Sequence, residues 1–198
     1  MIAILLNDAS FEQDIRELLM AFYPGETFTH KEEEAGEADL IVRGVRDGNS
    51  FSLDVTPVKK EAVHFALIYP DFSNRFETKN EIKQTLYRLL SAQTGRELPW
   101  GTLTGIRPTK IALTKLYDGW TDEQIETYMR ETYFTSKEKI DLSIDVAVRE
   151  RRLLSTIDYE NGYSLYVGIP FCPTTCLYCS FTSFPIVKWE KRMDLYKE

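Results

Sequence analysis

All three cysteines of this chain fall in one run, Cys172-Pro-Thr-Thr-Cys176-Leu-Tyr-Cys179, spaced CxxxCxxC. Closely spaced cysteines in a chain with no others usually serve an iron–sulfur cluster, and three thiolates at this spacing can wrap one face of a cubane. The missing fourth ligand is informative. A [4Fe–4S] cluster held by three cysteines keeps one iron open to bind and activate a small molecule, as a catalytic zinc site does. The run therefore points to an enzyme rather than an electron carrier. A zinc site would need His30 or His64, the only two histidines, but both are remote and neither has ligand-pair spacing. An odd number of cysteines argues against a disulfide framework. So does a start in which Met1-Ile-Ala-Ile-Leu-Leu6 runs straight into Asn7-Asp8.

At 198 residues and 43% hydrophobic content the chain suits one ordinary domain or two small ones with packed cores. A net charge of −7 and a pI near 5.1 argue against nucleic acid or an anionic membrane as the main partner. No apolar run approaches the roughly 18 residues needed to span a bilayer. A cytoplasmic protein is expected.

The pattern predicts three regions. Residues 1–77 read as a small α+β domain with a mostly antiparallel sheet. A strand at Ile2–Leu6 precedes a helix with the apolar stripe Phe11, Ile15, Leu18, Leu19 and Phe22, capped by Ser10 with Gln13 and stopped by Pro24-Gly25. A short strand is expected at Thr27–His30 and a solvated loop at 31–39. Leu40–Val45 and Phe51–Val55 form a hairpin around Asp47-Gly48, and Val63–Tyr69 is either strand or buried helix.

Residues 78–160 read as helical. Thr78 with Glu81, Pro108, Thr121 with Gln124 and Thr135 with Glu138 mark four helix starts, and Gly95 marks a stop. Residues 161–198 follow a turn at 158–162. There Tyr163–Ile169 alternates like a strand entering a sheet, the cysteine loop comes next, and Ile186, Trp189, Met193 and Tyr196 share a helical spacing.

The cysteine run with its flanks, Tyr166-x-x-Ile169-Pro170-Phe171-Cys172 and Cys176-x-Tyr178-Cys179-x-Phe181, resembles the radical S-adenosylmethionine (SAM) superfamily. Within it, the run is similar to the oxygen-independent coproporphyrinogen III oxidases (coproporphyrinogen dehydrogenases). The segment Trp100-Gly-Thr-Leu-Thr-Gly-Ile-Arg107-Pro-Thr-Lys110 resembles the branch with a long N-terminal extension, the HemZ type. The resemblance implies a (β/α) barrel whose first strand leads into the cluster loop, at the face where barrel active sites are built. The chain ends at Glu198, soon after Cys179, so it is expected to be the N-terminal part of a longer, truncated protein, with the rest of the barrel as its partner.

The resemblance also implies roles. Cys172, Cys176 and Cys179 would ligate a [4Fe–4S] cluster, and Tyr166, Gly168 and Tyr178 would lie near SAM. The substrate would be a porphyrinogen whose propionates are oxidatively decarboxylated to vinyls in haem biosynthesis. A flavodoxin or ferredoxin would donate the electron, and no catalytic residue beyond the cofactor site is expected within this stretch. Two positions depart from the oxidases: Gly168, where His is common, and Ser180-Phe181, where the best-known subgroup has a further cysteine. Related haem chaperones lack that cysteine too, and an inert docking domain is a third reading. Arg107 and Lys110, at a helix start, either hold a substrate anion or serve structure, with Arg107 bridging to a carboxylate of another segment.

Overall fold

In a computed structural model, residues 1–58, 63–158 and 161–197 are described, and the chain forms two compact units, Met1–Thr156 and Ile157–Glu198. The turn read at 158–162 contains residues 159 and 160, which lie outside the described residues.

The first unit is built on β1 (Ile2–Leu6), an inner strand of a five-stranded sheet. The others are β2 (Phe28–Thr29), β3 (Leu40–Asp47), β4 (Ser50–Pro57) and β5 (His64–Ile68), in the order β2-β1-β3-β4-β5. β1 is parallel to both of its neighbours, whereas β3–β4 and β4–β5 are antiparallel. The sheet is thus mixed, which corrects the mostly antiparallel expectation. The parallel pairings arise because helix α1 (Glu12–Phe22) separates β1 from β2, and a long crossover permits parallel neighbours where a tight turn does not. Strand β1 is apolar without alternation because both of its faces are covered. Ile2 and Ile4 face the main core, while Ala3 and Leu5 pack on Ala35 and Ala38. Segment 31–39 is therefore not only a solvated loop: Glu32–Glu37 form a 3-10 helix that closes the second face of β1.

Helix α2 (Arg75–Thr94) lays Ile82, Leu86, Tyr87 and Leu90 on the same core as Ile15, Leu18, Leu19 and Phe22 of α1 and Phe51, Leu53 and Val55 of β4. Each such buried side chain contributes about 1.5–3 kcal/mol. No separate helical domain begins at 78, because α2 is half of the lid on the sheet. Helices α3 (Thr109–Tyr117), α4 (Asp122–Tyr133) and α5 (Lys137–Leu154) enclose a second core of Leu113, Leu116, Ile125, Met129, Ile140 and Ala147.

Several caps differ from the sequence reading. Asp8, not Ser10, accepts from the Ser10 N–H and caps a 3-10 turn at Ala9–Phe11 that precedes α1. Asn74 caps α2 by accepting from Glu77 N–H, while the Thr78 hydroxyl donates to the Asp71 carbonyl. Ser136 caps α5 in place of Thr135. The Thr121–Gln124 capping box forms with both reciprocal bonds.

In the second unit, 163–169 form no strand. A strand needs a neighbour for its N–H and C=O groups, and the described residues of this unit offer it none. Two short strands, β6 (Phe171–Cys172) and β7 (Phe184–Pro185), pair in parallel. The expected terminal helix is interrupted: α6 (Ile186–Trp189), a 3-10 turn at Glu190–Arg192, then α7 (Met193–Lys197).

Two glycines separate backbone conformation from packing. Gly25 has φ +87° with open space around it, while Gly101 has φ +57° and an added Cβ would stand 1.9 Å from the Tyr133 carbonyl oxygen. Gly25→Ala should cost about 1–2 kcal/mol and Gly101→Ala about 2–5 kcal/mol. Urea unfolding checks the contrast, and equal losses would contradict the close approach at Gly101.

Candidate functional site

In the second unit the cysteine loop is held by aromatic packing. Phe171, the buried residue just before Cys172, meets the rings of Trp189 and Tyr196 at centroid distances of 5.6 and 4.8 Å, and Phe184 meets Trp189 at 5.6 Å. The Phe184 N–H donates to the Pro170 carbonyl at 2.7 Å, tying β7 to the loop, and the Cys179 N–H closes a turn on the Cys176 carbonyl at 3.0 Å. A cavity of about 350 Å³ opens beside this loop, with Tyr166, Gly168, Pro170, Cys172, Cys179 and Tyr196 among its walls.

Of the six residues expected near a cofactor, four share that cavity: Tyr166, Gly168, Cys172 and Cys179. Cys176 and Tyr178 are exposed and do not line it. All three thiols are free, so the donors suit an iron–sulfur cluster in kind. Their placement supplies two of the three: among the described residues no group of three His, Cys, Asp or Glu is arranged to hold a metal ion. Gly168 has a local reason. A Cβ there would press on the Tyr166 ring at 3.1 Å, so a larger side chain would displace the tyrosine from its place against this backbone.

The second candidate region, in the first unit, is the segment from Trp100 to Lys110. The Arg107 guanidinium donates to the Glu150 carboxylate of α5, an ion pair of the bridging kind weighed above against anion binding, and Lys110 is exposed one turn on. The same segment forms something the sequence does not announce. Lys83 of α2, 7% exposed, donates to the Thr104 hydroxyl at 2.9 Å, and that hydroxyl donates to the Glu17 carboxylate of α1 at 2.8 Å. Burial pushes the Lys83 ammonium below the usual lysine range, with Asp14 and Glu17 opposing the shift. Burial alone would raise the Glu17 carboxyl. Hydrogen bonds from Gln13 and Thr104, with Lys83 and Arg16 nearby, outweigh it and hold that carboxyl below its ordinary value. Glu17 and Thr104 lie in the wall of a cavity of about 590 Å³ with Met20, Trp100 and Ile106. Lys83 was hidden in the sequence because nothing local shows that residues 100–108 fold over α2.

No family model matches the chain. Among curated proteins it is similar to the oxygen-independent coproporphyrinogen-III oxidase-like protein HemZ of Bacillus subtilis (strain 168). The identity is 36% over 137 residues, covering 66% of this chain and 26% of the relative, so the chain spans about a quarter of that protein's length. No solved structure matches. No helix is long and apolar enough to cross a membrane among the described residues.

The Lys83 network makes a signed prediction. With its folded pKa depressed below the ordinary 10.5, the folded state releases this proton first as pH rises, so the unfolded state binds more protons in the window below 10.5. The Lys83 contribution to stability should therefore increase from neutral pH toward 10.5. In Lys83→Met that rise should be missing, and the wild-type minus variant difference in unfolding free energy should grow with pH. Tyrosine ionisation is common to both proteins and cancels in the difference. A pH-independent difference would show that Lys83 is not desolvated.

Proposed function

We propose that this chain is the N-terminal part of a coproporphyrinogen III oxidase-like radical SAM protein of porphyrin biosynthesis, with Cys172, Cys176 and Cys179 as ligands of a [4Fe–4S] cluster. The observation that carries the reading is the CxxxCxxC run and its flanks, in a chain 36% identical over 137 residues to a relative whose name states that likeness. The shared cavity of Cys172, Cys179, Tyr166 and Gly168 supports it.

Bound at these thiols, the cluster with SAM would supply one-electron reductive cleavage and hence a hydrogen-abstracting radical. The residues of this chain have simpler tasks. The thiols must be deprotonated to ligate. Tyr166 and Gly168, which line the cavity, would form part of the wall for SAM, and Tyr178 would offer backbone between two ligands. Pro170 and Phe171 anchor the loop to its aromatic support. The substrate is a porphyrinogen, its propionates the reacting groups, and a flavodoxin or ferredoxin is the electron donor. The remaining barrel encloses the substrate. A haem chaperone is the second reading, favoured by Ser180-Phe181, where the best-known oxidase subgroup carries another cysteine.

Anaerobic reconstitution of the longest form of the protein with iron and sulfide, followed by electron paramagnetic resonance with and without SAM, tests the reading. A [4Fe–4S] signal that shifts with SAM is expected, lost in each of Cys172→Ser, Cys176→Ser and Cys179→Ser. A colourless protein that takes up zinc would sink it. Stable haem binding without coproporphyrinogen turnover would select the chaperone. Arg107→Ala should lower stability by less than about 1 kcal/mol, as for exposed ion pairs, with the Michaelis constant unchanged; a raised Michaelis constant would return Arg107 to the substrate site.

A further inference from the structure

Where α2 meets the corner between α4 and α5, a cavity of about 460 Å³ has in its walls two guanidinium groups, Arg88 and Arg130, and two hydroxyls, Ser91 and Thr135. Both hydroxyl oxygens are buried and have no hydrogen-bond partner among the described residues. Each absence is unusual. A serine within a helix normally bonds the carbonyl four residues back or turns to solvent, and the Ser91 Oγ does neither. Thr135 is 2% exposed, and with Ser136 taking the cap of α5 its hydroxyl has no role in the helix start. An unsatisfied buried hydroxyl costs free energy that a ligand oxygen would recover.

The surroundings suit an anion. Arg88 lies 4.8 Å over the ring of Phe134. Among the described residues the exposed Arg130 guanidinium is paired with Glu126 one turn back, at 3.3 Å, an interaction weak enough to redirect at small cost. Phe134 is the one non-glycine residue with positive φ among the described residues, at 57°, in a conformation that disfavours side chains and that turns the chain into this corner. The carboxylate of Glu97 also lines the cavity and opposes an anion beside it, so it is assigned to a hydroxyl or amine elsewhere on the ligand.

We infer that this cavity binds the phosphate group of a small phosphate ester, with Arg88, Arg130, Ser91 and Thr135 as donors and the Phe134 ring against its organic part. Four donors from four residues suit a group with three or four oxygens better than a carboxylate with two, and the volume leaves room for more than the phosphate. The inference is independent of the cysteine loop and of the function proposed for it.

Phenyl phosphate titrated into the isotopically labelled chain is the test, followed by amide resonances, with acetate and with sodium chloride at matched ionic strength as comparisons. Saturable shifts centred on Ser91, Phe134 and Thr135 are expected for phenyl phosphate alone. Thr135→Val, which keeps the shape and removes the hydroxyl, should weaken binding about tenfold without loss of thermal stability. The double variant Arg88→Gln/Arg130→Gln, altered only at exposed positions, should lose binding altogether. An absence of saturable shifts, an equal response to acetate, or undiminished binding in either variant would overturn the inference.

Discussion

The architecture of the first unit depends on one close backbone approach. Residues 98–102 run against the end of α2 and the α4–α5 corner, bonded to them at Leu98, Pro99 and Thr102. The Leu98 N–H donates to the Tyr87 hydroxyl at 2.9 Å, the Thr102 N–H to the Tyr133 carbonyl at 2.7 Å, and the Ser136 N–H to the Pro99 carbonyl at 2.9 Å. Gln84 of α2 adds a bond from Nε2 to the Thr132 carbonyl at 2.8 Å. The last carbonyls of α4 have no partner within their own helix, so a neighbouring chain that supplies N–H groups is held strongly there. Only a glycine at 101 lets the chains come this near. The joint fuses the sheet core to the three-helix core, and it shapes the two cavities on either side of it, one behind Thr104 and one below Phe134.

The second unit rests on a different principle. It has little buried surface, and its order around the cysteines comes from Phe171, Phe184, Trp189 and Tyr196 packing at edge or tilted angles. Such pairs add about 0.5–1.5 kcal/mol each beyond the area they bury. That is enough to set the loop's path where two-residue strands contribute few hydrogen bonds. The side chains of Tyr163, Leu165, Val167 and Ile169 stay exposed.

Much of the fold was legible because local rules act locally. The stripe of α1, the Asp47-Gly48 hairpin, the Gly95 stop and the Thr121–Gln124 box each involve residues within one or two turns of each other. The cap errors share a cause: Ser10, Thr78 and Thr135 have the right chemistry, but Asp8, Asn74 and Ser136 were also in reach, and packing of the preceding chain chose between them. At the candidate site, spacing and resemblance singled out Cys172, Cys176, Cys179, Tyr166, Gly168 and Tyr178, and the fold brings four of them, Cys172, Cys179, Tyr166 and Gly168, to one cavity. Lys83, Glu17, Ser91 and the orphan role of Thr135 were not, because each matters only through residues distant in sequence.

The sequence by itself determined the chemistry available, three unpaired thiols in one loop, and the positions of the helices and hairpin, since side-chain period and turn residues are short-range properties. Tertiary structure alone decided that β1 lies parallel between two neighbours, that α2 belongs to the sheet core, and which polar groups are buried together. Strand direction and burial are set by which surfaces meet after crossovers of many residues, and no local pattern encodes that meeting.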